Sequence, residues 1–192
     1  MTDTAIITMP AAGAPAAEAA ATDSVPHLRA FMLALDPTDE QKVALAQHFG
    51  ASRWAFNHAH ALKDASRQAW RDAVDELTAG GLDEKLARKH VKTVLPTKAT
   101  IQKRLNELKG DDRKGIDGLA PWWHTVSTYA FQSAFADADL AWSNWMSSLG
   151  GRRAGKPVGY PRFKKRGACR DSVRIHHDVN KPTIRPDGYR RI

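Results

Sequence analysis

The sequence predicts an α+β fold that is mostly helical. A helical body over residues 38–149 stands between an amino-terminal strand and a β-like carboxy-terminal segment, an incomplete barrel. Three observations lead there. Apolar residues recur at helical spacing through the middle of the chain. Short apolar or β-branched stretches bounded by turn signals lie at both ends. Charge and Gly/Pro content change abruptly at Gly150-Gly151.

Charge divides the chain in the same way. The 192 residues carry a net charge of +8. Residues 1–26 hold three acids and no Lys or Arg, and residues 27–149 are nearly neutral. Residues 150–192 hold 13 basic and 3 acidic residues, a net +10. A block of this kind points to a polyanion. Hydrophobic residues make up 42% of the chain, enough for a packed core. No run approaches the roughly 18 apolar residues of a membrane span. Cys169 is the one cysteine, which excludes an internal disulfide and a multi-Cys zinc site. A cytoplasmic setting is compatible with that.

Residues 1–26 read as a disordered Ala/Pro-rich tail, interrupted by Pro10, Gly13, Pro15 and Pro26. Their acidic start and broken apolar stretch do not suit a signal peptide. Leu28 to Leu35 reads as a strand, within a 27–37 unit that Asp36-Pro37 stops. Thr38-Asp39-Glu40-Gln41 has the pattern of a capping box. A helix to Phe49 follows, with a turn at Gly50, and a second helix from Ser52 to Thr78 ends at Gly80-Gly81. That pair is a helix-turn-helix-like start. Asp83 to Val94 is a basic helix closed by Leu95-Pro96, and Thr97 to Lys109 is a further helix. Gly110 to Pro121 is a polar loop. Ser127 to Leu149 is a long amphipathic helix, with Phe131, Phe135, Ala138, Trp142, Trp145 and Leu149 at spacings of three and four. Beyond it, 151–167 is too rich in Gly, Pro, Arg and Lys for a helix. Ser172–His176, Thr183–Arg185 and Tyr189–Ile192 are candidate strands, with a hairpin turn at Asp187-Gly188.

Catalytic patterns are missing. Asp111-Asp112 and Asp137/Asp139 read as solvated surface, not as paired metal carboxylates. His58/His60 and His176/His177 diverge on their elements. No catalytic and no metal-binding residue is assigned. The segment 151–167 has instead the logic of a nucleic-acid contact. Arg152, Arg153, Lys156, Arg162, Lys164, Lys165, Arg166 and the following Arg170 suit phosphates. Tyr160 and Phe163 offer faces for stacking, with a core role for Phe163 equally open. Arg53 and Asn57, on the first turns of the second helix, are further candidates.

The ordered motifs resemble a known family. Asp36-Pro37-Thr38 with Gln41, Arg53-Trp54-Ala55-Phe56-Asn57, Ala141-Trp142 with Asn144-Trp145, and Gly159-Tyr160-Pro161-Arg162-Phe163-Lys164-Lys165-Arg166 follow the order of the TnpB (OrfB-type) insertion-sequence proteins. The Pro-x-Phe-Lys element is the most specific of these. The resemblance covers residue 28 onward. It implies relatives of type V CRISPR effectors, which are RNA-guided DNA endonucleases. It also implies a helical recognition lobe inserted into a wedge domain, with guide RNA and target DNA as partners. The family's RuvC nuclease and zinc ribbon, with their Mg²⁺ and Zn²⁺, would belong to a part not in this sequence, so the chain itself is expected to bind without cutting. A stand-alone helix-turn-helix DNA-binding regulator and a basic RNA-binding module are the competing readings.

Overall fold

Thr38 opens the first helix as its capping-box pattern predicts. In the computed structural model, which describes residues 4–7 and 31–176, the Thr38 hydroxyl accepts from the Gln41 amide at 3.3 Å, and Gln41 Oε1 accepts from the Thr38 amide at 2.9 Å. Helix α1 then runs unbroken from Asp39 to Ala79, 41 residues, or about 61 Å. The turn expected at Gly50 does not form. A glycine costs a helix only about 1 kcal/mol, and packing on both sides outweighs that. Ahead of Gly50, His48 donates from Nδ1 to Ala44 O at 2.8 Å and accepts the Ser127 amide on Nε2 at 3.0 Å. Behind it, Ala51, Ala55 and Ala59 are buried. Both halves are thereby tied to the same partner helix.

No atom lies within 4 Å of where a Cβ on Gly50 would stand. Gly50→Ala should therefore raise stability by about 0.5–1 kcal/mol. Urea denaturation followed by circular dichroism checks this; a loss of stability would show that the helix needs a bend there.

Helix α2 (Glu84–His90) is capped by the Asp83 side chain. It stops short of the expected Val94. The Trp70 indole donates to Val91 O at 3.0 Å, and Pro96 biases the residue before it away from helical backbone. Helix α3 (Lys98–Leu108) begins at Thr97, and helix α4 (Thr128–Leu149) begins at Ser127, both as the sequence predicts. The intervening loop is ordered by Asp111, whose backbone bridges Ile116. It also needs Gly118, where a Cβ would sit 2.4 Å from Gly110 N.

Helices α1 and α4 lie side by side and run in the same direction. His48 meets Ser127, Lys63 meets Asp139, and Arg67 meets Trp145. Ala51, Ala55 and Ala59 on α1, with Ala130, Ala134 and Ala138 on α4, are all buried. Small side chains at every fourth position form the ridges along which two helices approach closely. Ile101 and Leu105 of α3 close the core. At the far end, buried Lys63 donates to Pro96 O at 2.6 Å and pairs with Asp139 at 2.9 Å. The other Asp139 oxygen accepts the Lys98 amide at 3.0 Å. Asp139 is thus a junction of α1, α3 and α4, not solvated surface.

The α+β expectation is corrected. The described residues form a helical fold with no barrel. Their strands are a single four-residue antiparallel pair, Thr4–Ile7 (β1) with Phe31–Ala34 (β2). The expected first strand is shorter than read, and its partner comes from the segment read as a tail. Ser172–His176 joins no sheet among the described residues; its Arg174 and His176 side chains reach Asp137 and Ser133 on α4. The strands and turn expected at 183–192, and His177, lie outside the described residues.

Candidate nucleic-acid interface

Tyr160 to His176 lies along the groove between α1 and α4, running against both helices. A polar stripe on α1, at positions 53, 57, 60 and 64, holds it. Tyr160 donates its hydroxyl to Asp64. The ring of Tyr160 lies 5.4 Å from Trp142 and 4.9 Å from Trp145. Arg67 stands over both Trp145 and Tyr160, at 5.1 and 5.2 Å. Burial, then the bond to Asp64, pushes the Tyr160 phenol up to about 12, so it remains a donor at neutral pH.

His60 is the buried centre of this contact, 1% exposed. Its Nδ1 accepts the Trp142 indole N–H at 3.1 Å, and its other nitrogen donates to the Pro161 carbonyl. The neutral ring satisfies both bonds. Phe163 packs against it at 4.4 Å between ring centres. Further along, Asn57 takes both polar groups of Lys164. Its Oδ1 accepts the Lys164 amide at 2.7 Å, and its Nδ2 donates to the Lys164 carbonyl at 2.9 Å. Arg53 then pairs with Asp171. Beyond that point α4 takes over. Arg174 pairs with Asp137, and His176 Nε2 lies 3.3 Å from the Ser133 hydroxyl.

The sequence candidates therefore divide in two. Arg53, Asn57, Arg153, Tyr160 and Lys164 serve the fold. Arg153 bonds Asn144 at 2.6 Å, and the Lys164 ammonium sits 4.3 Å over the Phe56 ring. Arg152, Lys156, Arg162, Lys165 and Arg166 are all exposed on the loop. Their side chains have no ion pair with any other described residue. Phe163 keeps 48% of its surface exposed despite its contact with His60. Arg170 is exposed on the same segment. Sequence reasoning missed His60 and Asp64. The signal was there: Asn57, His60 and Asp64 are polar residues three and four apart on a face flanked by buried alanines.

The acidic pairs are engaged as well. Arg113 donates to both oxygens of Asp111 at 2.9 and 2.8 Å. That bond is the main reason the carboxyl titrates at about 2. Asp112 contacts His124 at 2.5 Å. The ligand atoms of Asp111, Asp112 and His124 lie within 4.8 Å of one another, but Arg113 already occupies Asp111.

Burial lowers the pKa of His60 and of His58 below 6.5. Arg104 adds to the effect at His58, and Asp64 partly opposes it at His60. Below pH 6.5 the unfolded chain binds protons that the folded chain refuses. Stability is therefore full above that pH and declines as pH falls towards the two lowered values. Urea midpoints taken at about pH 5.5 and about pH 7.5 should show a lower value in acid. Equal midpoints would mean the two rings are accessible to protons in the fold.

A helical body that pins a cationic loop by its backbone, with the charges facing out, defines a class of basic nucleic-acid-binding module. Residues 27–71 match the helix-turn-helix domain model of the IS605 OrfB family. The chain is 34% identical, over 160 residues, to proteins of Mycobacterium tuberculosis strains CDC 1551 / Oshkosh and ATCC 25618 / H37Rv, both described as candidate RNA-guided DNA endonucleases. The match takes in 83% of this chain and 31% of each relative, so the chain spans about a third of their length. The chain belongs to the TnpB/OrfB family of insertion-sequence proteins, corresponding to its amino-terminal portion. No helix among the described residues is long and apolar enough to cross a membrane.

Proposed function

We propose that this chain is the nucleic-acid-binding amino-terminal part of a TnpB-like protein, gripping guide RNA and target DNA through the loop at 152–170. The observation that carries this is the set of outward-facing cations Arg152, Lys156, Arg162, Lys165 and Arg166 on a backbone already held in the α1/α4 groove. Cations that lack an internal partner suit phosphates and release counterions on binding. The half-exposed Phe163 ring between Arg162 and Lys165 suits stacking on an unpaired base. In RNA-guided recognition base pairing reads the sequence, and the protein supplies backbone contacts. The similarity to proteins described as RNA-guided DNA endonucleases supports that choice of polyanion.

In this reading the chain binds and does not cut. Asp111, Asp112, Asp137 and Asp139 are each engaged by Arg113, His124, Arg174 and Lys63. Because α1 is continuous through Gly50, it presents no separate recognition helix, which weighs against a stand-alone duplex-reading regulator.

The test is titration of the chain with a labelled transposon-end RNA hairpin and with a duplex lacking RNA. Binding to the hairpin that weakens steeply with salt is expected, with no DNA cleavage when Mg²⁺ is added. RNA binding that is absent even at low salt would overturn the proposal.

A further inference from the structure

Asn57 lies on α1, and Lys164 lies in the cationic loop, 107 positions further along the chain. The Asn57 side chain treats Lys164 as a neighbouring strand would, giving one acceptor to its amide and one donor to its carbonyl. The two groups are partly buried and both bonds are short. Arg162, Lys165 and Arg166, whose side chains have no ion pair with any other described residue, lie within two positions of that clamp. The loop around it is rich in glycine and in positions that point to solvent. Left alone, it would sample many backbone conformations, and nucleic acid would have to order it on binding.

We propose that Asn57 is a positioning residue for nucleic-acid binding: by clamping the Lys164 backbone it holds the neighbouring cations in their binding arrangement before nucleic acid arrives. The proposal rests on the reading of the loop as a nucleic-acid contact. It differs from direct contact by Asn57, because the amide groups that would read a base are directed at Lys164. His60, through the Pro161 carbonyl, and Asp64, through the Tyr160 hydroxyl, hold the same loop one and two turns away.

The role separates from a charge contact by its salt dependence. Asn57→Ala removes no cation, so the same phosphates are neutralised once the loop is bound. The affinity for a fluorescein-labelled RNA hairpin should fall about 10-fold, while the slope of log affinity against log salt is unchanged. Hydrogen exchange at the Lys164 amide should accelerate in parallel. Asn57→Asp, which keeps the acceptor for that amide but sets a carboxylate against the Lys164 carbonyl, should also weaken binding. It keeps the test open if the alanine variant folds poorly, and the helical circular dichroism of each variant establishes that it is folded.

Unchanged affinity in a folded variant whose Lys164 amide exchanges faster would overturn the positioning role. A salt slope lowered by about 1 would do so too, since it would mean that the variant neutralises fewer phosphates. Failure of the wild-type chain to bind the hairpin is a different result: it removes the nucleic-acid reading itself.

Discussion

Replacing Arg162, Lys165 and Arg166 together by Gln should weaken RNA binding by roughly 150- to 2,000-fold at moderate salt, at about 1–1.5 kcal/mol for each cation–phosphate pair removed. The slope of log affinity against log salt should become shallower by about 2 to 3, since each phosphate contact on a single strand or duplex contributes about 0.7 to 0.9. Stability should hardly change, because exposed side chains away from any packed feature usually matter by less than about 0.5 kcal/mol. These three residues are exposed and make no ion pair with the other described residues. The contrast with Arg53 is informative. Its guanidinium pairs with Asp171, so Arg53→Gln should disturb the loop's anchoring more than the charge presented to RNA. Filter binding across a salt series measures all of this. A triple variant with wild-type slope would show that the phosphates lie elsewhere on the molecule.

Trp142→Ala should cost about 3–5 kcal/mol, the usual range for emptying a buried aromatic site. Trp142 is 2% exposed and lies between α1, α4 and the cationic loop. Its removal also leaves buried His60 Nδ1 without its donor, and an unsatisfied buried acceptor costs about 1–3 kcal/mol. Against a typical total of about 5–15 kcal/mol, that is a large part of the folding free energy. The melting temperature should fall by roughly 6–20 °C. Trp142→Phe separates the two effects, since it keeps most of the ring and removes the N–H. Thermal and urea denaturation decide the outcome. A destabilisation under about 1 kcal/mol for the alanine variant would mean that the ring is not part of the core.

The elements most legible in the sequence were those written in local chemistry. Thr38, Asp83, Thr97 and Ser127 each cap the helix expected after them. A hydroxyl or carboxylate at such a position satisfies amides in the next turn, which requires nothing distant. Gly50 misled the same reasoning. A glycine is a turn signal by propensity, but here the partner helix holds both flanks in one line. The barrel expectation failed for a related reason. Ser172–His176 has a strand's composition, but it pairs with no second strand among the described residues, and its Arg174 and His176 side chains meet Asp137 and Ser133 on α4.

The candidate site was legible as a charge block and obscure as a structure. Arg162, Lys165 and Arg166 could be singled out because charge density is a property of composition. Composition does not distinguish Lys164, which covers the Phe56 ring, from Lys165, which faces solvent. Nor does it distinguish Asn57 as a base reader from Asn57 as a clamp.

By itself, then, the sequence determined that the chain is mainly helical, where most of its helices begin, that its charge lies after residue 150, and which motifs it shares with the TnpB-type proteins. These follow from local hydrogen bonding, apolar periodicity and counting. The tertiary structure alone decided that α1 is continuous, that α1 and α4 lie in parallel on alanine ridges, and that the basic segment is laid along their groove. Those outcomes depend on contacts between residues such as Asn57 and Lys164, 107 positions apart, whose meeting no local preference encodes.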